Sequence, residues 1–239
     1  MMRVASTEVQ NSFGKYLDIV SGGKEIIVTK NGKDIIKMIS CGDENCVAEN
    51  ASVYTTEKRK ISYEEFIEIT ENSDLRYELI DGEIINLASP NYQHQYAVAE
   101  ILTSFHNWFK GKKCRPLTSP FDVNLLKGEE NKNVVQPDII VICDTENIDE
   151  KGKYKGIPTL VVEILSGSTR RYDMIKKLDL YMQTGIKEYW IVDPDKKGIY
   201  LYNFEDQDIN DFIVYTGDKI VKSNVFQGLE VGLTGIFSN

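Results

Sequence analysis

Gln136-Pro137-Asp138-Ile139-Ile140-Val141-Ile142 and Leu160-Val161-Val162-Glu163-Ile164-Leu165-Ser166 are two short, β-branched, apolar runs, and each carries one carboxylate. Such runs predict buried strands. An ionised acid beside a sheet core is costly unless something compensates its charge. A divalent cation held between Asp138 and Glu163 would do so, and a carboxylate site suits Mg²⁺, with Mn²⁺ as a substitute. The alternative is that both acids sit at strand ends in water. If the strands are neighbours, alternation brings both side chains to one sheet face and sets Leu165 beside Glu163.

A phosphodiester-cleaving site of this design wants a cation at position 165, where it would orient water and offset charge on phosphate. Leu165 cannot supply it. In the helix predicted over 169–184, Asp173, Lys177 and Tyr181 are spaced by four and share one face. Ile175, Leu178 and Met182 are expected on the core side. Lys177 is therefore the candidate cation, against the alternative of an ordinary surface pair with Asp173. Glu78, in an otherwise apolar strand, is the candidate third acid, and Glu100 is its rival. Asp122 points either inward or outward from an edge strand. His94 follows Ser89-Pro90-Asn91 at a helix start, as a phosphate contact, a proton carrier or part of a local cap.

Around these residues, 62–66 has the capping-box start of a short helix, and Asp81-Gly82 turns a hairpin over 77–85. A helix runs from Tyr92 to Lys110. Strands are predicted near 119–126, 135–142 and 158–165, then at 188–193 and 199–202. The order predicts an α/β body with a mixed sheet flanked by helices. Residues 1–45 form a separate small α/β unit: a helix from Thr7 with Val9, Phe13, Leu17 and Val20 at helical intervals, then a hairpin through Asn31-Gly32. Forty residues cannot bury a self-sufficient core, so this unit is expected to pair as a homodimer. Residues 46–59 read as a polar linker, and 60–239 as the main domain.

The formal charge of −9 excludes a whole-surface nucleic-acid binder. It is uneven: residues 1–40 carry six Lys/Arg against four Asp/Glu, and the remainder 22 against 33. Two histidines exclude a zinc hydrolase centre of the usual kind, and neither a Walker loop nor a G-x-S-x-G elbow occurs. With no apolar run of membrane length and no charged-then-apolar leader, a cytoplasmic protein is expected. Cys41, Cys46, Cys114 and Cys143 are expected to be free thiols in a reducing compartment.

Two resemblances add to this reading. Val4-Ala5-Ser6-Thr7-Glu8, Phe13-Gly14-Lys15-Tyr16-Leu17 and Ile27-Val28-Thr29-Lys30-Asn31-Gly32-Lys33 resemble Phd/YefM-type antitoxins of toxin–antitoxin systems. That implies a dimeric DNA-binding module with Lys15, Lys30 and Lys33 as phosphate contacts. Tyr77-Glu78-Leu79-Ile80-Asp81-Gly82, Ser89-Pro90 with His94, Gln136-Pro137-Asp138, Val162-Glu163-Ile164-Leu165-Ser166, Asp173 with Lys177 and Tyr181, and Gly185 to Pro194 resemble the Uma2 (DUF820) family. It is similar in fold to restriction endonucleases of the PD-(D/E)xK superfamily. The resemblance implies a Mg²⁺-dependent endonuclease acting on DNA, with Asp138, Glu163 and Glu78 as metal ligands and Lys177 as a migrated catalytic lysine. The rival expectation is a non-catalytic DNA-binding regulator that uses a nuclease-like body as an interaction platform.

Overall fold

The computed structural model describes residues 2–11, 13–30, 32–39, 59–71, 73–166, 170 and 172–237. Most of the expected linker, Cys41 and Cys46, and Asn31 of the first hairpin turn lie outside the described residues. The backbone divides into two compact units, residues 1–55 and 56–239.

The first unit contains β1 (Met2–Ala5), α1 (Ser6–Asn11), α2 (Phe13–Ser21), β2 (Ile26–Lys30) and β3 (Lys33–Met38). β2 pairs antiparallel with β3 as the hairpin pattern predicts, and β1 adds a parallel strand on its other side. β1 is too short to show a period, so the pattern begins only at the helix. Val4, Val9, Tyr16, Val20, Ile26 and Val28 make a small core, while Ile35, Ile36 and Phe13 stay about half exposed.

The second unit opens with α3 (Tyr63–Glu71). Its capping box is complete: Glu65 N donates to Ser62 Oγ at 3.1 Å and Ser62 N to Glu65 Oε2 at 3.0 Å. β4 (Tyr77–Ile80) and β5 (Glu83–Asn86) join through Asp81 and Gly82, whose φ values of 50° and 79° are those of a type I′ turn. Then follow α4 (Tyr92–Phe109), β6 (Arg115–Thr118), β7 (Val123–Lys127), β8 (Asn131–Val135), β9 (Ile139–Ile142) and β10 (Leu160–Ile164). A π-helical turn, Tyr172–Lys177, leads into α5 (Leu178–Gln183). The chain ends in β11 (Glu188–Asp193), β12 (Gly198–Glu205), β13 (Asp208–Thr216), β14 (Ile220–Lys222), β15 (Glu230–Gly232) and α6 (Leu233–Ile236).

The main sheet has the order β13-β12-β11-β10-β9-β6, with β10 parallel to β11 and its other pairs antiparallel. One face packs against α4 and α6 through Ile101, Phe105, Val162, Trp190 and Ile236. The opposite face packs against α5 and a second sheet, β5-β4-β8-β7, through Ile80, Val135, Val161, Leu180 and Tyr189. Glu163 shares its parity with Val161 and Leu165, so it points into this second layer.

Three expectations need correction. The strand near 119–126 begins later: β6 ends at Thr118, residues 119–122 are not strand, and β7 begins at Val123 to form a hairpin with β8. Asn131-Lys132-Asn133 masks β8 in the apolar pattern, although Asn133 is buried and its Oδ1 accepts from Asp81 N at 2.8 Å. Ile175 is not on a core face; it is exposed, whereas Asp173, Lys177 and Tyr181 are buried. The π-helical turn shifts the register there, and the polar spacing marks the inward side. Cys114 and Cys143 are not free thiols. They form a disulfide, with Cα atoms 4.1 Å apart, because the β6–β9 register sets them opposite one another.

The segment carrying Lys177 is tied down at both sides. Arg170 forks onto buried Asp193 with bonds of 2.8 and 2.9 Å, while Tyr172 and Lys176 donate to Glu83 at 3.0 and 2.5 Å. Burial alone would raise the Asp193 carboxyl, but the Arg170 fork and the Lys196 N–H outweigh it and hold it below the usual range. A lowered folded-state pKa stabilises the fold above the unfolded value of about 3.9 and ceases to do so as pH falls through the folded value. Asp193→Asn should therefore cost roughly 1.5–3 kcal/mol at pH 7 in urea unfolding, the range of a hydrogen bond to a charged group. The difference from wild type should shrink below about pH 4, where the unfolded carboxyl takes up its proton. A gap that persists undiminished at pH 2.5 would contradict the pairing.

Candidate active site

The ladder between β9 and β10 pairs Ile139 with Val162 as its last described partners. Carried one pair further, the same register sets Asp138 opposite Glu163. Cross-strand partners on one face have Cβ atoms about 4.5–5.5 Å apart. The two acids, 25 residues apart in sequence, are thus neighbours by the geometry of the sheet. Asp138 takes the next ladder position with its side chain: Ile164 N donates to Asp138 Oδ2 at 2.8 Å.

Glu78 arrives from β4 in the second sheet. Its Oε1 accepts from Gln136 N at 2.8 Å and from Lys177 Nζ at 2.9 Å. Lys177 Nζ also donates to Glu163 Oε1 at 2.8 Å and lies 3.6 Å from Asp173 Oδ1. Tyr181, one turn on, donates to the same Glu163 Oε1 at 2.7 Å. Tyr189 OH holds the carbonyl of Asp173 at 3.0 Å. Asp173, Lys177 and Tyr181 therefore form one inward stripe, and Lys177 joins acids from two sheets. It is only 4% exposed, which rules out an ordinary surface pair with Asp173.

Glu78, Asp138, Glu163 and Asp173 line one cavity of about 400 Å³, with Lys177 as the ammonium that faces them. Burial, and then the neighbouring acids, push the Glu163 carboxyl well above the usual range against the opposing pull of Lys177. Burial would lower Lys177, yet Glu163, Glu78 and Asp173 together raise it well above the usual lysine range. Lys177 is thus a cation at neutral pH and not a base. Burial and the same acids hold Tyr181 as a phenol.

His94 lies in the first turn of α4, where its backbone N–H is capped by Asn91 Oδ1 at 2.9 Å. Its side chain does something else: Nε2 lies 3.1 Å from Asp138 Oδ2, fixing that carboxylate. His94 Nδ1 and Gln136 Oε1 are buried without partners among the described residues, and both residues line the cavity. Two unsatisfied polar atoms on one wall need water or a ligand. Glu100 is not among the cavity residues, and Asp122 is exposed, accepting from Gln136 Nε2 at 2.8 Å. Lys15, Lys30 and Lys33 are exposed on the first unit.

Arg76 also lines the cavity, and the sequence patterns above pass over it. A signal for it exists: it stands two residues before Glu78, on the same side of the strand.

Among the described residues, no three His, Cys, Asp or Glu side chains are grouped so as to hold a metal unaided. The chemistry of the pair still fits Mg²⁺. Oδ2 of Asp138 and Oε1 of Glu163 are engaged, and each residue keeps a second oxygen. Mg²⁺ commonly uses one or two carboxylates and completes its shell with water and phosphate. Glu78 is in the same position as Glu163: its Oε1 is committed to Gln136 and Lys177, and it keeps a second oxygen.

Lys177→Met should leave several buried acids without their cation and cost about 3–5 kcal/mol in urea unfolding at pH 7. Adding Glu163→Gln to that variant should recover part of the loss. A loss below about 1 kcal/mol would show that the lysine is not paired in the fold.

Comparison with known proteins bears on the fold and the family. A curated relative, an uncharacterized protein of Synechocystis sp., is 30% identical over 149 residues, covering 62% of this chain and 76% of its own. A solved structure described as "a putative nuclease belonging to DUF820", from Anabaena variabilis, superposes with a TM-score of 0.61 at 22% identity, covering 74% of this chain and 98% of that one. At that identity the likeness speaks for the fold. Residues 63–234 match the family Uma2, described as "Putative restriction endonuclease", and the chain belongs to that family.

Proposed function

We propose that the protein is a Mg²⁺-dependent phosphodiester hydrolase acting on DNA, an endodeoxyribonuclease. The observation that carries this reading is the crowding of four acids around one lysine in a single cavity. Lys177 is the one ammonium that reaches Glu78, Glu163 and Asp173, and a divalent cation beside Asp138 and Glu163 would offset more of the negative charge gathered there. Asp138 and Glu163 would hold the ion, and Mn²⁺ would substitute for it. Bound there, the ion would supply Lewis acidity towards a phosphate oxygen and lower the pKa of a water.

The remaining work belongs to the chain. His94 and the Ile164 N–H orient Asp138, while Tyr181 and Lys177 orient Glu163. Glu78 keeps Lys177 charged and aimed, and the ammonium then orients the attacking water and offsets charge that builds on the phosphate oxygens. Because Lys177 remains protonated, it stabilises charge and does not remove the water's proton. In the rival reading as an interaction platform the same acid–lysine set would serve only to hold the fold together.

We also propose that residues 1–40 form an antitoxin-like, DNA-binding module that pairs two copies of the chain. Its excess of positive charge, its exposed Lys15, Lys30 and Lys33, and its half-exposed Ile35 and Ile36 support this. A second copy would cover the apolar residues and bring two bodies to one duplex.

Plasmid and linear DNA incubated with Mg²⁺ or Mn²⁺ test the enzyme directly. Asp138→Ala and Glu163→Ala should abolish cutting, and Lys177→Ala should lower the rate on the order of 10²–10³-fold, as loss of a charge-stabilising donor does. Cutting by Asp138→Ala at the wild-type rate would refute the assignment. Because burial and the neighbouring acids raise the Glu163 carboxyl above its usual range, a bound ion would compete with a proton there. Mn²⁺ affinity by calorimetry should therefore rise with pH, with proton release in buffers of differing ionisation enthalpy. Affinity independent of pH would contradict Glu163 as a ligand.

A further inference from the structure

A second cavity, of about 820 Å³, lies between α3, the β7–β8 hairpin and the loop around Lys153. Arg76, Pro120 and Gln136 line both this space and the acid-rich cavity, so the two adjoin. Its character is the reverse of the site it adjoins. Arg76, Lys132, Lys153 and Lys155 stand on it against Glu71 and Asp122, in a chain whose net charge is −9. Asp122 is already engaged by Gln136, Lys155 by Asp149 at 3.1 Å, and Lys132 only loosely by the exposed Glu64 at 4.0 Å. The Arg76 guanidinium and Lys153 Nζ make no ion pair among the described residues.

The walls between these cations are aromatic. Tyr63, Tyr77 and Phe121 are half-buried on the groove, and Lys132 Nζ lies 4.9 Å from the centroid of the Tyr63 ring. Leu126 adds an apolar surface that is 52% exposed. Cations that follow a backbone, interleaved with rings on which bases stack, are what an unpaired polynucleotide strand requires. A duplex offers its phosphates outward but keeps its base faces stacked, so it could use the lysines and not the rings. The volume is that of a small-ligand pocket and suits a few nucleotides.

We propose that this groove binds the single-stranded DNA segment next to the scissile phosphate. Arg76, at the junction, takes the phosphate that passes from one cavity to the other. Lys132 and Lys153 take those beyond it, and Tyr63, Tyr77 and Phe121 stack against its bases. The inference rests on the phosphodiester reading of the adjoining cavity. It deepens that reading by making unpaired DNA the preferred substrate at the centre.

The test uses the full chain, fluorescein-labelled oligo(dT) and a duplex of equal length. Binding is followed by anisotropy in EDTA, so that nothing is cut. Lys132→Glu/Lys153→Glu should weaken oligo(dT) binding at least tenfold, and at least fivefold more than it weakens duplex binding, at an unaltered melting temperature. The slope of log affinity against log salt for oligo(dT) should fall by about 0.7 for each phosphate that the variant no longer neutralises. Arg76→Gln should weaken oligo(dT) binding as well. Unchanged oligo(dT) affinity in the double variant, or equal losses for single strand and duplex, would overturn the proposal. Hydrolysis of bis(p-nitrophenyl) phosphate by wild type with Mn²⁺ is measured separately. Its absence would refute the hydrolase, while the anisotropy alone would still decide whether the groove takes single strands.

Discussion

One buried ammonium organises the body of this protein. Lys177 Nζ makes bonds of 2.9 and 2.8 Å to Glu78 and Glu163, which belong to different sheets, and it comes from a helical segment that belongs to neither. Three elements of one compact unit therefore meet at one charge. A group so placed raises the cost of any arrangement in which the pieces dock differently, since each misdocking strands an ionised side chain away from water. Much of the surrounding detail serves the same end. Arg170 on Asp193, Tyr172 and Lys176 on Glu83, and Tyr189 on the Asp173 carbonyl all fix the segment that presents Lys177.

The lysine compensates its neighbours only in part. Four carboxyls line the cavity, and burial, then the neighbouring acids, push the Glu163 carboxyl well above the usual range, the mark of a charge that its surroundings leave short of compensation. A proton and a divalent cation are alternative ways of meeting that shortage. In the proposed reading, function follows from which of them occupies the pair formed by Asp138 and Glu163. The proposed strand groove extends the logic outward, with basic side chains and rings beside a cavity lined by acids.

Misplaced charge is the most legible signal in the chain. Asp138 and Glu163 stand out against β-branched runs, and antiparallel pairing of those runs makes them neighbours. The spacing of Asp173, Lys177 and Tyr181 marks the inward helical stripe, although Ile175 suggests the opposite face until the π-helical turn is seen. The same signal also flags Glu188, which is buried in β11 but far from any chemistry. Trp190 Nε1, Ser223 Oγ and two backbone N–H groups satisfy it, at 2.6–3.2 Å. Sequence shows that a charge is buried, but not whether donors from distant loops satisfy it. What stays illegible depends on such long-range partners. The Cys114–Cys143 bond follows from a strand register that no local pattern reveals, and β8 hides its buried Asn133 among polar neighbours. Arg76 acquires meaning only where two cavities meet.

The claim on which this account stands is that Asp138 and Glu163 share one hard cation beside Lys177. Anomalous scattering from crystals soaked in Mn²⁺ tests it without recourse to turnover. The account predicts a single strong peak between the uncommitted oxygens of Asp138 and Glu163, lost in Asp138→Ala. A map with no peak there at saturating Mn²⁺, or with the ion held by other residues, would contradict it.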